Sequence, residues 1–379
     1  MSIDFLHAAQ KIALTTALAA TVGCGSQFKP LNDLNIEAPN QTIIDDKLQK
    51  DLKFIDEVVD FTLEKYHLEK TKHYRKYYPE EEKVKTLYIL NVTHPFILPD
   101  DREENFISLR LDAKFREPLP KGFAYFQSFE DNLKDEKDFF KDELGYDVFW
   151  RSTDNYNSSS SEGSPITKNF LSLPKARQAL TISHEICHED VAEKISKNFP
   201  SSLDESYCMF RGYIIAAGFA KKKTTEYSGL YEETSSKIEH FNKFASNISS
   251  YYGRLNEIYG DKGLTKDEKN LLRLQVFNEA KDELDWEEVN NARLYDYWPY
   301  VKHYPLFLKL YQSQGEDLDK MQQIMDGCPD DENKAVVYIK NNLGQYPLKK
   351  PTLTAPLNFY DYFYETINLK IEGLDQPSI

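Results

Sequence analysis

The sequence predicts an α+β protein that is mainly α-helical, with a small β-sheet in its N-terminal half and a helical C-terminal half. Three runs rich in aromatic and β-branched residues, bounded by Pro or Gly, fall between about residues 85 and 150 and indicate strands. From Pro174 onward, apolar residues recur at helical spacing in one segment after another. Hydrophobic residues make up 40% of the chain, which is ample for a core.

The first part of the chain is predicted to contain one helix, three strands and a second helix. The helix from Asp45 to Glu69 is indicated by apolar residues at helical spacing, and a charged helix of residues 131–144 is expected between the last two strands. The predicted strands, which together form the small sheet of about residues 85–150, are Lys85–Phe96, Gly122–Phe129 and Gly145–Trp150.

The second part of the chain is predicted to be helical, beginning with two helices within about residues 174–222. Pro174 is well placed at a first helical position. Ala176, Leu180, His184 and His188 then follow one stripe at four-residue spacing. The later helical patterns, which continue into a helical C-terminal part of residues 226–379, are Leu203–Ala220, Tyr231–Ile258, Lys266–Leu284, Pro305–Gln312 and Asp317–Ile324.

The chain of 379 residues could hold one large domain or two ordinary ones. The clearest loop is "NSSSSEGSP", residues 157–165. We interpret it as an exposed loop within a single domain of residues 43–379, because the helices that follow need something to pack against. The formal charge of −15 and the pI near 5.1 argue against a nucleic-acid partner, since phosphate contacts require a basic face.

The N-terminus has the features of a lipoprotein signal peptide, predicted over residues 1–23. Ile12–Gly23 is uncharged and apolar, and it is too short to span a bilayer as a helix. Small Gly23 precedes Cys24 as in a bacterial lipobox, so Cys24 is the candidate lipidation site. A plain signal peptide or a buried amphipathic helix would also fit. We expect residues 24–42 to form a polar tether to the membrane of a bacterial cell envelope, on the periplasmic side.

The remaining cysteines do not form a recognisable framework. If Cys24 carries lipid, then Cys187, Cys208 and Cys328 remain, which is an odd number without CxxC spacing. A disulfide network is therefore not expected, although one bridge is possible in an oxidising envelope.

The segment "SHEICHE" contains a His-Glu-x-x-His motif within a predicted helix. His184 and His188 are one helical turn apart and project from the same face, so both can bind one Zn²⁺. Glu185 lies beside that face, where it can take a proton from the attacking water and pass it to the leaving amine. Cys187 points away from the stripe, and we expect it to pack in the core. The alternative is a solvated helix whose histidines bind nothing.

A catalytic zinc site needs a third protein ligand, and the next predicted helix offers Glu205 in its first turn. Two histidines from one helix and a glutamate from the next are the gluzincin arrangement. Asp204 is the competing ligand, and both residues could simply favour a helix N-terminus. Glu189 or Asp190 could instead orient one of the histidines.

With these residues in view, the chain resembles a bacterial family of envelope lipoproteins that are described as aminopeptidases. The resemblance implies a zincin-like fold, a peptide substrate and a zinc cofactor held by the metal ligands above. The landmarks, which span most of the mature chain in family order, are Cys24, "LKFIDEVVDFTLEKYHL" before "HYRKYY", "TLYILNV", Gly145–Val148 leading to Tyr156, the HExxH motif, Asp204–Tyr207, and Asn290–Leu294 before "YPLF".

The chain departs from the family pattern near the expected cleft. Members typically read His-Glu-Leu-Ala-His-Gln, where this chain has Ile186, Cys187 and Glu189, and they have Asn-Glu at Asp204-Glu205. Their Tyr-Ser-Thr-Leu-Gly-Trp loop is replaced by Tyr156, Asn157 and four serines.

Substrate-binding groups are less well indicated than the metal ligands. Tyr156 and Tyr207 are candidates for stabilising the oxyanion, and Asn290 and Asn291 for binding the peptide backbone or for capping a helix. The Gly-x-Met-Glu-Asn amine-binding sequence of one gluzincin aminopeptidase group is absent, so no pocket for a free ammonium is identified.

The sequence therefore predicts a zinc-dependent peptidase in which Glu185 is the general base and His184, His188 and Glu205 hold the metal, and the resemblance implies that it is an aminopeptidase. Two alternatives remain open at this point. One is a zinc endopeptidase or cell-wall amidase with the same site, and the other is a non-catalytic envelope lipoprotein that binds a partner.

Overall fold

The computed structural model describes residues 29–30, 46–78, 87–99, 122–127, 130–153 and 163–343. These residues are mainly helical with small sheets in the N-terminal half, so the predicted mainly α, α+β class is confirmed. The predicted signal peptide, Cys24 and Tyr156 lie outside the described residues. The strands are β1 (Lys29–Pro30), β2 (Lys76–Tyr78), β3 (Leu87–Thr93), β4 (Gly122–Gln127), β5 (Asp147–Thr153) and β6 (Ile166–Thr167).

The helices of the described residues occur mostly after the sheet in sequence. A π-helical turn, Phe139–Glu143, continues the second of them. The helices are α1 (Asp46–Tyr66), α2 (Glu130–Asp138), α3 (Lys168–Ser172), α4 (Lys175–Lys194), α5 (Ser201–Lys222), α6 (Leu230–Gly260), α7 (Lys266–Leu284), α8 (Asn291–Val301), α9 (Tyr304–Ser313), α10 (Leu318–Met325) and α11 (Glu332–Asn341).

The main sheet is antiparallel with strand order β4-β3-β5. Leu90 on the central strand lies opposite Tyr125 on one side and Trp150 on the other. Leu90 and Val92 are fully buried and pack with Phe140 of the π-helical turn, which covers this face of the sheet. The three strands and the charged helix are therefore present, as predicted. Two-residue β1, inside the segment predicted as a tether, pairs antiparallel with β2 in a second small sheet.

Helix α8 connects the main sheet to the helical half through side-chain contacts. The sequence patterns did not predict this helix. The buried carboxylate of Asp296 accepts hydrogen bonds from Asn91 Nδ2 at 3.0 Å and from Arg151 Nε at 2.6 Å. Pro299 lies inside this helix, and proline weakens the local helix signal because it removes a backbone donor from a helix interior. Helix α11 was also missed, since it is short and buries only Ala335 and Ile339.

Helices α4 and α5 lie against each other, and both bury many of their residues. α1 anchors α4 from the other side, because Tyr66 donates a hydrogen bond to the carbonyl of Ser183 at 2.9 Å and Thr62 lies 3.1 Å from the Ser183 hydroxyl. Pro174 occupies the N-cap position of α4, so the helix begins at Lys175, one residue later than predicted. Among the described residues, no helix combines the length and the apolar character needed to cross a membrane.

The approach of α5 to α4 depends on a glycine. A Cβ atom at Gly212 would lie 3.1 Å from the backbone nitrogen and 3.2 Å from the Cα of His184, closer than nearly all real Cβ contacts. Gly212 is seven residues after Glu205, so both lie on the face of α5 that meets α4. The small side chain therefore lets the two helices come close enough for residues on their facing sides to converge.

Candidate metal centre

Two histidines and one glutamate converge where α4 meets the start of α5. The Nε2 atoms of His184 and His188 are 3.2 Å apart, and their rings are nearly perpendicular at 89°. Oε2 of Glu205 lies 3.4 Å from His184 Nε2 and 3.8 Å from His188 Nε2. All three side chains are partly buried, so the sequence-predicted ligand set is brought together at one point.

The spacing of these donor atoms fits a small tetrahedral cation. Four ligands at the usual zinc distances of about 2.0–2.1 Å form a tetrahedron whose edges are about 3.3–3.4 Å long. The observed separations of 3.2, 3.4 and 3.8 Å are close to three such edges, the longest being that between His188 and Glu205. The donor set could therefore hold Zn²⁺ and leave one ligand position for a fourth group.

Asp204 contacts His188 on the side of the ring opposite to Nε2, and it does not belong to the triad. Its Oδ2 lies 2.9 Å from His188 Nδ1, which fixes the ring so that Nε2 faces His184 and Glu205. Burial lowers the pKa of His188, but the carboxylates of Asp204, Glu205 and Glu185 more than offset it and raise the pKa well above its ordinary value. Without a cation, these carboxylates favour a proton on the imidazole. A bound cation would take the place of that proton.

A thiol-containing alternative uses His188, Asp204 and Cys208, whose donor atoms also lie within 4.8 Å of one another. Burial, with Cys187 and the nearby carboxylates, raises the pKa of Cys208 well above its ordinary value, so the group is a neutral thiol. It lies 3.5 Å from Asp204 Oδ1, to which it can donate. Because metals bind the thiolate, we favour the triad with Glu205. Cys187 is fully buried in the core, as predicted.

Glu185 is half-buried and lies on the α4 face next to the histidines. Its charge contributes to the raised pKa of His188, and at His73 it opposes the effect of burial, which lowers the pKa of that histidine overall. Glu185 is not among the three residues whose donor atoms converge, and its role as general base stays a prediction.

Asp190, which the sequence suggested as a partner of a histidine, instead forms ion pairs inside the protein core. Its fully buried carboxylate binds Arg211 Nη1, and its other oxygen lies 2.7 Å from Lys194 Nζ. The Arg211 guanidinium also contacts Gln322 Oε1 and lies 4.2 Å above the Tyr66 ring. The role considered for Asp190 is thus taken by Asp204.

Three of the candidate substrate-binding residues have structural contacts. Tyr207 is fully buried, and its hydroxyl donates to Gln322 Oε1 at 3.1 Å. Asn290 caps α8 and donates to the Val148 carbonyl at 3.0 Å.

Asn291 is fully buried between the sheet and the helices. Its Nδ2 atom donates to the carbonyls of His94 and Pro95, and its Oδ1 atom accepts from Tyr259 at 2.9 Å. The polar atoms of all three candidate side chains are thus engaged inside the protein, and we assign none of them to substrate.

Two residues near the site had no sequence signal. His73, in the loop between α1 and β2, places Nε2 3.4 Å from Glu189 Oε1. The ring of Tyr300 on α8 lies 6.2 Å, centroid to centroid, from that of His184. A single histidine in a loop and one tyrosine among 25 carry no pattern that a sequence reading can use. Only the fold brings them to the motif.

The fold and the site define a mainly helical protein with a candidate metal centre formed by an HExxH helix and a glutamate from the next helix. A family model described as "Putative aminopeptidase" matches residues 123–335, which is more than half of the chain and includes all three candidate ligands. The chain belongs to this family, whose description suggests peptidase activity. No curated protein and no solved structure matches the chain.

Proposed function

We propose that this protein is a zinc-dependent peptidase in which His184, His188 and Glu205 bind the metal and Glu185 is the general base. The observation that carries the proposal is the triangle of donor atoms, whose edges of 3.2, 3.4 and 3.8 Å approximate those of a zinc tetrahedron. The family description supports the peptidase class.

The chemistry requires one contribution from the metal and several from the chain. Zn²⁺, when bound, supplies a Lewis acid that polarises the scissile carbonyl and lowers the pKa of a water molecule. Glu185 takes the proton from the attacking water and delivers it to the leaving amine. Asp204 keeps His188 in the orientation that binding needs.

Two variants test this proposal with separate readouts. Glu185→Gln should retain about one equivalent of zinc and lose peptide hydrolysis, since the amide cannot accept the proton. Glu205→Ala should lose both zinc and hydrolysis. Hydrolysis that persists in Glu185→Gln at the wild-type rate would eliminate the mechanism. A wild-type protein that binds no zinc would eliminate the metal site and would favour a partner-binding role.

We also propose, on the sequence of residues 12–24 alone, that the protein is anchored to a bacterial envelope through a lipid on Cys24. Labelling of expressing cells with a fatty-acid analogue should mark the wild-type protein and leave Cys24→Ser unmarked. Equal labelling of both would contradict the anchor.

A further inference from the structure

The acidic residues around the metal centre have different partners, and this separates their roles. Six acidic side chains lie between Glu185 and Glu205. Glu205 faces both imidazoles, Asp204 holds His188, and Asp190 is buried with Arg211. Glu193 is exposed on the last turn of α4. Glu189 remains, beside the proposed base and without a metal-binding or core role.

Glu189 lies on the same face of α4 as Glu185, one helical turn further on. Its side chain is 30% exposed, and its Oε1 atom lies 3.4 Å from Nε2 of His73, which is 12% exposed. The two side chains are therefore within ion-pair distance, although His73 comes from a different part of the fold.

Contacts of the His73 ring and of the neighbouring backbone determine where this side chain lies. Nδ1 accepts a hydrogen bond from the backbone N–H of Ser164 at 3.1 Å and lies 3.0 Å from the Ser164 hydroxyl. The adjacent Tyr74 donates its backbone N–H to the Ser164 carbonyl at 2.7 Å. Gly163 has φ +77°, and a Cβ there would lie 2.6 Å from the backbone of Lys72, so this contact requires glycine.

These contacts also determine the tautomer of His73. Because Nδ1 accepts from a backbone N–H, the proton of the neutral ring is on Nε2, which faces Glu189. Burial lowers the pKa of His73 in spite of the nearby carboxylates of Glu189 and Glu185. The neutral His73 ring therefore has its Nε2–H on the side of the Glu189 carboxylate, whose Oε1 atom is 3.4 Å away.

We infer that Glu189, positioned by His73, receives the α-ammonium group of a peptide substrate and thereby directs cleavage to the first peptide bond. This rests on the proposed function and adds to it the residue that would bind the amino terminus of the substrate. Residues one turn apart on a helix have Cβ atoms about 5–6 Å apart. In a peptide, one Cα separates the ammonium nitrogen from the first carbonyl carbon. A substrate with that carbonyl beside Glu185 can thus place its ammonium against Glu189.

Binding to the zinc-loaded full-length protein in the Glu185→Gln background tests the inference without turnover. The probes are tripeptide amides with varied first residues, each with a free or an N-acetylated amino terminus, and the Kd of each is measured by calorimetry. We expect free-amine peptides to bind better. Adding Glu189→Gln should raise their Kd about tenfold or more, as for loss of a charge-assisted hydrogen bond, and leave that of acetylated peptides unchanged.

Glu193→Gln is the matched control, because it removes a carboxylate one turn further along α4 and should not change either Kd. His73→Ala should weaken free-amine binding in the same direction. His73→Gln, which retains a neutral donor, should restore part of it. Zinc content and the melting temperature of each variant report whether it is folded.

Equal Kd values for free and acetylated peptides, or an equal effect of Glu189→Gln on both, would overturn the inference. The proposed function is judged separately, by zinc content and by loss of hydrolysis in Glu185→Gln alone. A protein that loses hydrolysis in that variant but does not distinguish the two kinds of peptide would therefore remain a zinc peptidase with an endopeptidase or amidase specificity.

Discussion

Asp204 and His188 form a hydrogen bond of 2.9 Å between Oδ2 and Nδ1, on the side of the imidazole opposite to the candidate metal. This contact links the first turn of α5 to the HExxH helix. It leaves the adjacent Glu205 to face both Nε2 atoms. The two neighbouring carboxylates therefore contribute to one site in different ways, one by direct binding and one by orienting a ligand.

Removing the Asp204 carboxylate should weaken metal binding without abolishing it. We expect Asp204→Ala to lower zinc affinity about 10–100-fold, because an imidazole without its hydrogen-bond partner is less well oriented and less basic. Asp204→Asn should lose less, since the amide oxygen can still accept from Nδ1. Competition with a chromogenic chelator measures both. Wild-type affinity in Asp204→Ala would show that the contact has no part in metal binding.

The close contact of α5 with His184 makes Gly212 a sensitive position. Gly212→Ala should cost about 1–3 kcal/mol of unfolding free energy, because the added methyl group meets the backbone of α4, and it should reduce zinc affinity as well.

Gly218 on the same helix is the control, since a Cβ there would meet only Phe61 at ordinary contact distances from 3.6 Å. Gly218→Ala should be neutral or stabilise by up to about 1 kcal/mol through helix propensity. Urea unfolding of the metal-free proteins compares the two. Equal stability of both variants would contradict the close approach of the helices.

The buried ion pair beneath the site should be important for stability. Asp190 is fully buried and Arg211 is 2% exposed. Asp190→Ala leaves the guanidinium without its carboxylate, and we expect a loss of about 3–5 kcal/mol in unfolding free energy. Lys237→Ala, which removes a half-exposed pair with Glu233, should change stability by no more than about 0.5 kcal/mol. A loss below about 1 kcal/mol for Asp190→Ala would contradict the role of this pair.

Zinc should stabilise the folded protein through the three ligands. At a free zinc concentration a hundred times the Kd, binding should add about 2.7 kcal/mol to the unfolding free energy, and chelation should reverse it. Glu205→Ala should show no such gain at the same zinc concentration, whereas Glu193→Ala, at an exposed position, should respond as the wild type does. Thermal unfolding with and without zinc provides the measurement. An equal gain in Glu205→Ala would show that zinc binds elsewhere.

The sequence alone determined the local features of this protein. The helical spacing of apolar residues predicted α7 with its observed ends at Lys266 and Leu284, and the composition of three short runs predicted β3, β4 and β5. The one-turn separation of His184 and His188 predicted their shared face. These features follow from the structural repeats of the helix and the strand, which can be recognised from the spacing of residues along the sequence.

The tertiary structure decided how distant groups meet. Asp204 and Glu205 are adjacent in sequence, and the helical period alone cannot tell which of them faces the metal, since that depends on how α5 crosses α4 at Gly212. His73 reaches Glu189 only because Gly163 and Ser164 hold its loop. Asn290 and Asn291 were equally suited to substrate or to structure, and burial against the sheet gave them the structural role. Such assignments depend on packing between separate segments, which a local pattern does not encode.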